Sequence, residues 1–254
     1  MRNVITIARK ELQAYFASPI AYVVIGFFAL LYGYFFYTLL WYFERQSMQM
    51  QPGAGATMNL NQMLIGPVFM NVSVIVLFVM PMITMRTYSE EKRSGTMELL
   101  LTSPLTDLQI ILGKFFGAFG LYAVMLAVTM IHMSLLFYFG SPEWKPVATG
   151  YLGLLLMGGC FISAGLLISS LTKNQIVAGM VTFAVFLMLW VINWIGQSLG
   201  PTGQAVVTHL SITDHLDDFA RGIIDTKHLV YYSSFIVFGL FLTARSVDSE
   251  RWRG

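Results

Sequence analysis

Charged side chains are scarce in this sequence: they fill 11% of 254 positions while 56% are hydrophobic, against about a quarter charged in an ordinary soluble domain. No soluble fold of this length could bury that surplus. Cysteine occurs once, as Cys160 inside an apolar stretch, which excludes an intrachain disulfide and leaves the residue as a small packing element. No cluster of four or more basic residues exists, and the formal net charge is only +2. The expected polyanionic neighbour is therefore membrane lipid, with no nucleic acid. Metal ligands are equally sparse. Met48, Met50, Met58 and Met63 have no companion His or Cys, and in the set His209, Asp214, His215 and Asp218 the pair His215 and Asp218 at i,i+3 gives just two possible ligands on one helix face. No metal site is expected.

What the chain does have is six apolar stretches long enough to cross a bilayer, at residues 19–41, 66–85, 113–139, 149–171, 176–195 and 228–245. They use more than half the residues, so no globular catalytic domain fits, and any work done must draw on a partner. Alternating the intervening segments puts eleven basic residues on one side, namely Arg2, Arg9, Lys10, Arg86, Lys92, Arg93, Lys114, Lys173, Arg245, Arg251 and Arg253. Only Arg45, Lys145, Arg221 and Lys227 fall on the other. The basic-rich side is the cytoplasmic one, and both termini are expected there. The first span is too long for the apolar core of a cleavable signal and reads as a signal anchor.

Residues 1–18 read as an interfacial helix, with Ile5, Ala8, Leu12, Tyr15 and Phe16 on one side and Arg9, Lys10 and Gln13 elsewhere. Residues 43–65 form a polar outer loop containing Pro52 and Gly53, with a short helix expected at 59–64. Residues 86–107 are the most distinctive: a charged helix ends at Ser94-Gly95, and a second begins at Thr96, which can act as its cap. Met97, Leu99, Leu100 and Leu101 are more apolar than a free loop needs, which fits docking on another protein or rest on lipid or on the chain's own cytoplasmic ends.

Lys114 reads as a residue that snorkels to headgroups, and His132 as a satisfied packing histidine. Gly158-Gly159 marks close helix packing or a bend, 172–175 is a tight link, and Asn193 is expected to find a capping or interhelical partner. The outer segment 196–227 is expected to carry a helix from Ser211 or Asp214 to Ile224. That helix would turn Leu216, Phe219 and Ile223 inward and Asp217, Asp218 and Arg221 to water.

The run Glu90-Glu91-Lys92-Arg93-Ser94-Gly95-Thr96-Met97-Glu98-Leu99-Leu100-Leu101-Thr102-Ser103-Pro104, with Ala8-Arg9-Lys10-Glu11-Leu12 before it, resembles permease subunits of ABC-2 type ABC exporters. The likeness is to the gliding-motility-type and nitrous-oxide-reductase-maturation-type permeases, and residues 217–226 resemble the outer helix of the gliding-type branch. The resemblance implies an all-α membrane protein with one six-span transmembrane domain over 1–254, in a bacterial inner membrane. It also implies a chain without cofactor or catalytic residue, coupled through 90–101 to two copies of a separate ATPase subunit that binds ATP and Mg. A second permease copy or paralogue completes the route, the resemblance assigns spans one, two and five to that route or to the subunit interface, and a periplasmic auxiliary subunit is compatible with it.

Two other readings compete. An ion-coupled carrier would want ionisable groups near the midplane and internal repeats, which this chain lacks. A non-transporting membrane anchor or assembly subunit would use the same loops. An intramembrane enzyme would need a nucleophile with its base, or a metal cluster, at one membrane depth, and neither occurs.

Overall fold

The computed structural model describes residues 2–49, 60–196 and 200–251. Among these there is no strand. The helices are α1 (Arg2–Ala17), α2 (Pro19–Gln49), α3 (Gly66–Thr84), α4 (Ser89–Ser94), α5 (Thr96–Leu101), α6 (Asp107–Phe139), α7 (Trp144–Leu171), α8 (Gln175–Gly196), α9 (Pro201–Leu210), α10 (Ile212–Ala220) and α11 (Thr226–Arg251). A π-helical turn, Asn61–Ile65, leads directly into α3. Among the described residues six helices are long and apolar enough to span a membrane: α2, α6, α7, α8, α11 and the one built on α3.

The first span exceeds its expected end at Trp41 and continues to Gln49. The reason is local: Glu44, Arg45 and Gln46 favour helix, and the Arg45 guanidinium lies 4.1 Å from the centre of the Trp41 ring, one turn back. The short helix expected at 59–64 is the π-turn. The rest of that outer loop, including Met50, Pro52, Gly53 and Met58, lies outside the described residues, as does the side chain of Asn193. The 172–175 link is tight as expected, and Asn174 caps α8 by accepting from Ile176 N at 3.0 Å.

α7 is the central post. It runs unbroken through Gly158-Gly159, so those glycines serve close packing, with Tyr122 of α6 on one and Ile236 of α11 on the other. Gly165 receives Thr84 of α3 and Gly153 receives Leu216 and Phe219 of α10 in the same way. Cys160 is buried and its thiol faces the Tyr232 carbonyl at 3.4 Å, a packing role as expected. α2, α8 and α11 form the outside, with Val23, Phe27, Met180, Met188, Val237 and Phe238 exposed.

Polar contacts separate the two ends of the bundle. At one end α1, α4 and the start of α6 meet the ends of α7 and α11; at the other the π-turn, the start of α7, α10 and the start of α11 gather. The spans therefore alternate in direction, and α1 and the last turns of α11 both lie at the α4–α5 end.

His132 packs edge-on against Tyr32 and Phe36 at 5.1 and 5.5 Å. Its buried Nδ1 has no hydrogen-bond partner, so the histidine is a packing residue but not a fully satisfied one.

Candidate functional site

The segment after α3 is built on α7. The N–H groups that open a helix lack intrahelical partners, and at α4 a residue from another helix serves two N–H groups at its start. Ser169 Oγ accepts from Tyr88 N and Ser89 N, each at 3.0 Å, and donates to the Met85 carbonyl at 3.0 Å. α4 ends at Gly95, whose φ of 73° is left-handed, as the Ser94-Gly95 pair leads one to expect. The capping role expected of Thr96 is not what the fold shows. Thr96 is already the first residue of α5, Gly95 is the N-cap, and the Thr96 hydroxyl turns back to Ser94 Oγ at 2.9 Å. Gly95 has open space around it, so its requirement is purely backbone. Gly95→Ala should cost about 1 to 2 kcal/mol through the left-handed conformation and speed hydrogen exchange in 86–107 while leaving the spans unchanged.

Lys114 overturns its expected snorkelling role. It is 2% exposed, and its ammonium donates to Glu91 Oε1 at 2.7 Å, Glu11 Oε1 at 3.0 Å and the Thr87 carbonyl at 2.8 Å. All three donors are used. The hub exists because Gly113 and Gly117 let α1 lie directly on α6. A Cβ at either glycine would come within 2.6 Å of Ile7 or Glu11 side-chain atoms. The amphipathic helix is thus docked on protein through Ile7, Glu11 and Leu12, with Tyr15 donating to the Ile83 carbonyl at 3.0 Å. Ile5, expected on its apolar side, is 67% exposed, because the contact face is set by the α6 glycines. Arg9 and Lys10 are exposed on the opposite side.

Lys92 is a second strut: it donates to the Ser170 carbonyl of α7 and to Glu250 of α11 at 2.9 Å. Glu90 is paired with Arg86 at 2.8 Å. Of the residues expected to meet a partner, Glu90, Glu91 and Lys92 are therefore engaged within the chain. Arg93, Gly95, Thr96 and Glu98 are exposed, and Leu99 is 72% exposed. Met97 is buried and Leu100 half-buried against the core, while the side chain of Leu101 lies outside the described residues.

At the other end α10 begins with Ser211 as its cap, accepting from Asp214 N at 3.3 Å. It stops at Ala220, short of the expected Ile224, because Gly222 at φ 90° closes the helix and Ile223 N donates back to the Asp218 carbonyl at 2.9 Å. Leu216 and Phe219 are buried as expected, but Ile223 is 52% exposed. Asp217 pairs with Arg221 at 2.6 Å. Asp218 contacts His228 at 2.7 Å, and His228 in turn meets His215. Burial pushes the His215 imidazole below its ordinary range, and the nearby His228 and Lys227 add to that. Among the described residues no group of three or more His, Cys, Asp or Glu side chains is placed to hold a metal ion. A cavity of about 810 Å³ adjoins this end, with Asn61, Gln62, Glu143, Asp217 and Arg221 in its lining.

Sequence reasoning missed Ser169, Ser170, Glu250 and His228. None lies at helical spacing from its partner, so no periodicity could have joined them.

Together these features define a multi-pass α-helical membrane protein with an anchored, outward-facing short helix at one end. The family described as ABC-2 family transporter protein matches residues 44–198, more than half the sequence, and the chain belongs to it. No curated protein matches the chain. Permeases of this family are not themselves catalytic, and the ABC systems they serve include an ATPase subunit.

Proposed function

We propose that this chain is the permease subunit of an ATP-driven exporter, forming half of a translocation route, and that α5 couples it to a separate ATPase subunit. The observation that carries this reading is the contrast within 86–107. Leu99, Glu98 and Arg93 are offered outward, while Lys92 and Glu91 tie the same segment to α1, α6, α7 and α11. A push on α5 would thus reach four helices through charge-assisted bonds. Two ATPase copies, carrying ATP and Mg, would act on two permeases, identical or paralogous. The exposed apolar faces of α2 and α8 support contact between permeases or with cargo.

The excess of Lys and Arg at the α4–α5 end supports a cytoplasmic position for that end and for both termini, in a bacterial inner membrane. The opposite end would then face the periplasm, where the cavity beside α10 gives room for cargo or an auxiliary subunit. The stretch 217–226 favours the gliding-type branch of the family.

Leu99→Asp is the test. Because Leu99 is largely exposed and takes no part in the buried core, membrane insertion and melting should stay as in the parent. Affinity for the ATPase subunit should fall by about thirtyfold, equivalent to about 2 kcal/mol for an anchor residue. Unchanged co-purification of the ATPase with this variant would remove the coupling role from α5.

A further inference from the structure

The imidazoles of His215 and His228 face each other through their Nδ1 atoms at 2.5 Å. The other nitrogen of each meets an oxygen: His215 Nε2 lies 3.3 Å from the His209 carbonyl and His228 Nε2 lies 2.7 Å from Asp218 Oδ2. Both rings are buried, 6% and 4% exposed. Hydrogens in this row can be counted. A carbonyl only accepts, so His215 Nε2 carries one; an ionised carboxylate only accepts, so His228 Nε2 carries another. Two Nδ1 lone pairs cannot meet at such a separation, so a third hydrogen lies between them. Two neutral imidazoles supply only two.

We propose that His215, His228 and Asp218 form a proton-binding site at the end of the bundle opposite α5, holding one proton beyond the neutral imidazoles and pinning α10 to α11. The extra charge resides on the His228 ring, against the Asp218 carboxylate. Lys227 Nζ is 4.0 Å from the same carboxylate oxygen but 3.2 Å from Asp225, which draws its charge away. The other ionisable groups nearby are His209 on α9, Asp214 and Asp217 on α10, Arg221 just beyond α10 and paired with Asp217, and Tyr231 and Tyr232 on α11. Tyr231 stacks on His215 at 3.9 Å, and the two phenols bond to the Leu210 and Ile212 carbonyls. Of the elements packed on α10 and α11, α3 and α8 contain no ionisable residue. α7 contributes Lys145, Tyr151 and Cys160, and α6 contributes Asp107, Lys114, Tyr122, His132 and Tyr138.

The pH dependence follows from the count. Well above the ordinary imidazole range the unfolded chain holds neither extra proton, so folding must capture one; well below it the unfolded chain holds two, so folding must release one. The network is therefore tightest between those limits and loses a hydrogen bond as pH rises and the shared proton leaves.

Hydrogen exchange of residues 207–226, read by mass spectrometry on the full chain in detergent and corrected for intrinsic rates, tests this. Between about pH 6.5 and about pH 8.5, exchange in the parent should rise about tenfold, as loss of one charge-assisted hydrogen bond requires. In Asp218→Asn the amide donates to a neutral His228 Nε2 and supplies the third hydrogen, so exchange should stay flat. His228→Gln cannot hold the proton and should also lose the pH response. A flat parent, or a pH response retained in either variant, overturns the proposal. So does zinc found at one equivalent, with protection lost on chelation at constant pH, since the occupant would then be a metal.

Discussion

Lys114→Met should lower the stability of the purified chain by about 3 to 5 kcal/mol, the cost of leaving buried charges without their partner. The ammonium serves two carboxylates and a carbonyl at once, and methionine can replace its volume but none of its hydrogens. Glu11 and Glu91 would then face one another without the ammonium between them, with Glu91 Oε2 already buried and lacking a hydrogen bond. α1 should detach from α6 first, since Glu11 is its ionic hold. A lower melting temperature in detergent and faster proteolysis within residues 2–17 would record this. The same substitution combined with Glu11→Gln and Glu91→Gln removes the stranded charges and should recover part of the loss. Parental melting of Lys114→Met alone would show that the hub bears no load.

Gly158→Ala is expected to cost about 3 kcal/mol, the upper part of the range for overpacking a tight core. A methyl there would lie 2.1 Å from the Tyr122 ring, closer than any real contact. Tyr122 is fully buried and donates to the Leu154 carbonyl at 2.8 Å, so the ring cannot turn away without breaking that bond. Tyr122→Leu should compensate in the double variant more than addition of the two single effects allows. Thermal melting of the four proteins measures the coupling. A Gly158→Ala chain as stable as the parent would mean that α6 and α7 can separate freely.

The two substitutions probe features of unequal legibility. The glycines of α7 were visible as a small-residue run that implies close packing, though not which side chain each would receive. For Lys114 the sequence pointed the wrong way. A lysine near the start of an apolar span ordinarily reaches for headgroups, and its partners lie 23 and 103 residues away. Glu11 and Glu91 stand in two distinctive runs, but on separate segments. The same holds for Asp218: its place on the exposed side of an outer helix was readable, whereas its contact with His228 crosses the turn between α10 and α11. Thr96 shows a finer limit, since a hydroxyl next to glycine looks like a cap until the glycine proves to hold that position itself.

Apolar runs of spanning length, their punctuation by Gly and Pro, and the uneven distribution of Lys and Arg are properties of the chain order. They determined the number of spans, their alternation, the expected orientation and the charged hairpin at 86–107. Those signals are local, because hydrophobic length and helix termination act over one or two turns. Only the tertiary structure decided which charges of that hairpin are free. Burial forces each desolvated cation to find oxygen from whatever helix packing brings near, and that choice joins residues no spacing relates.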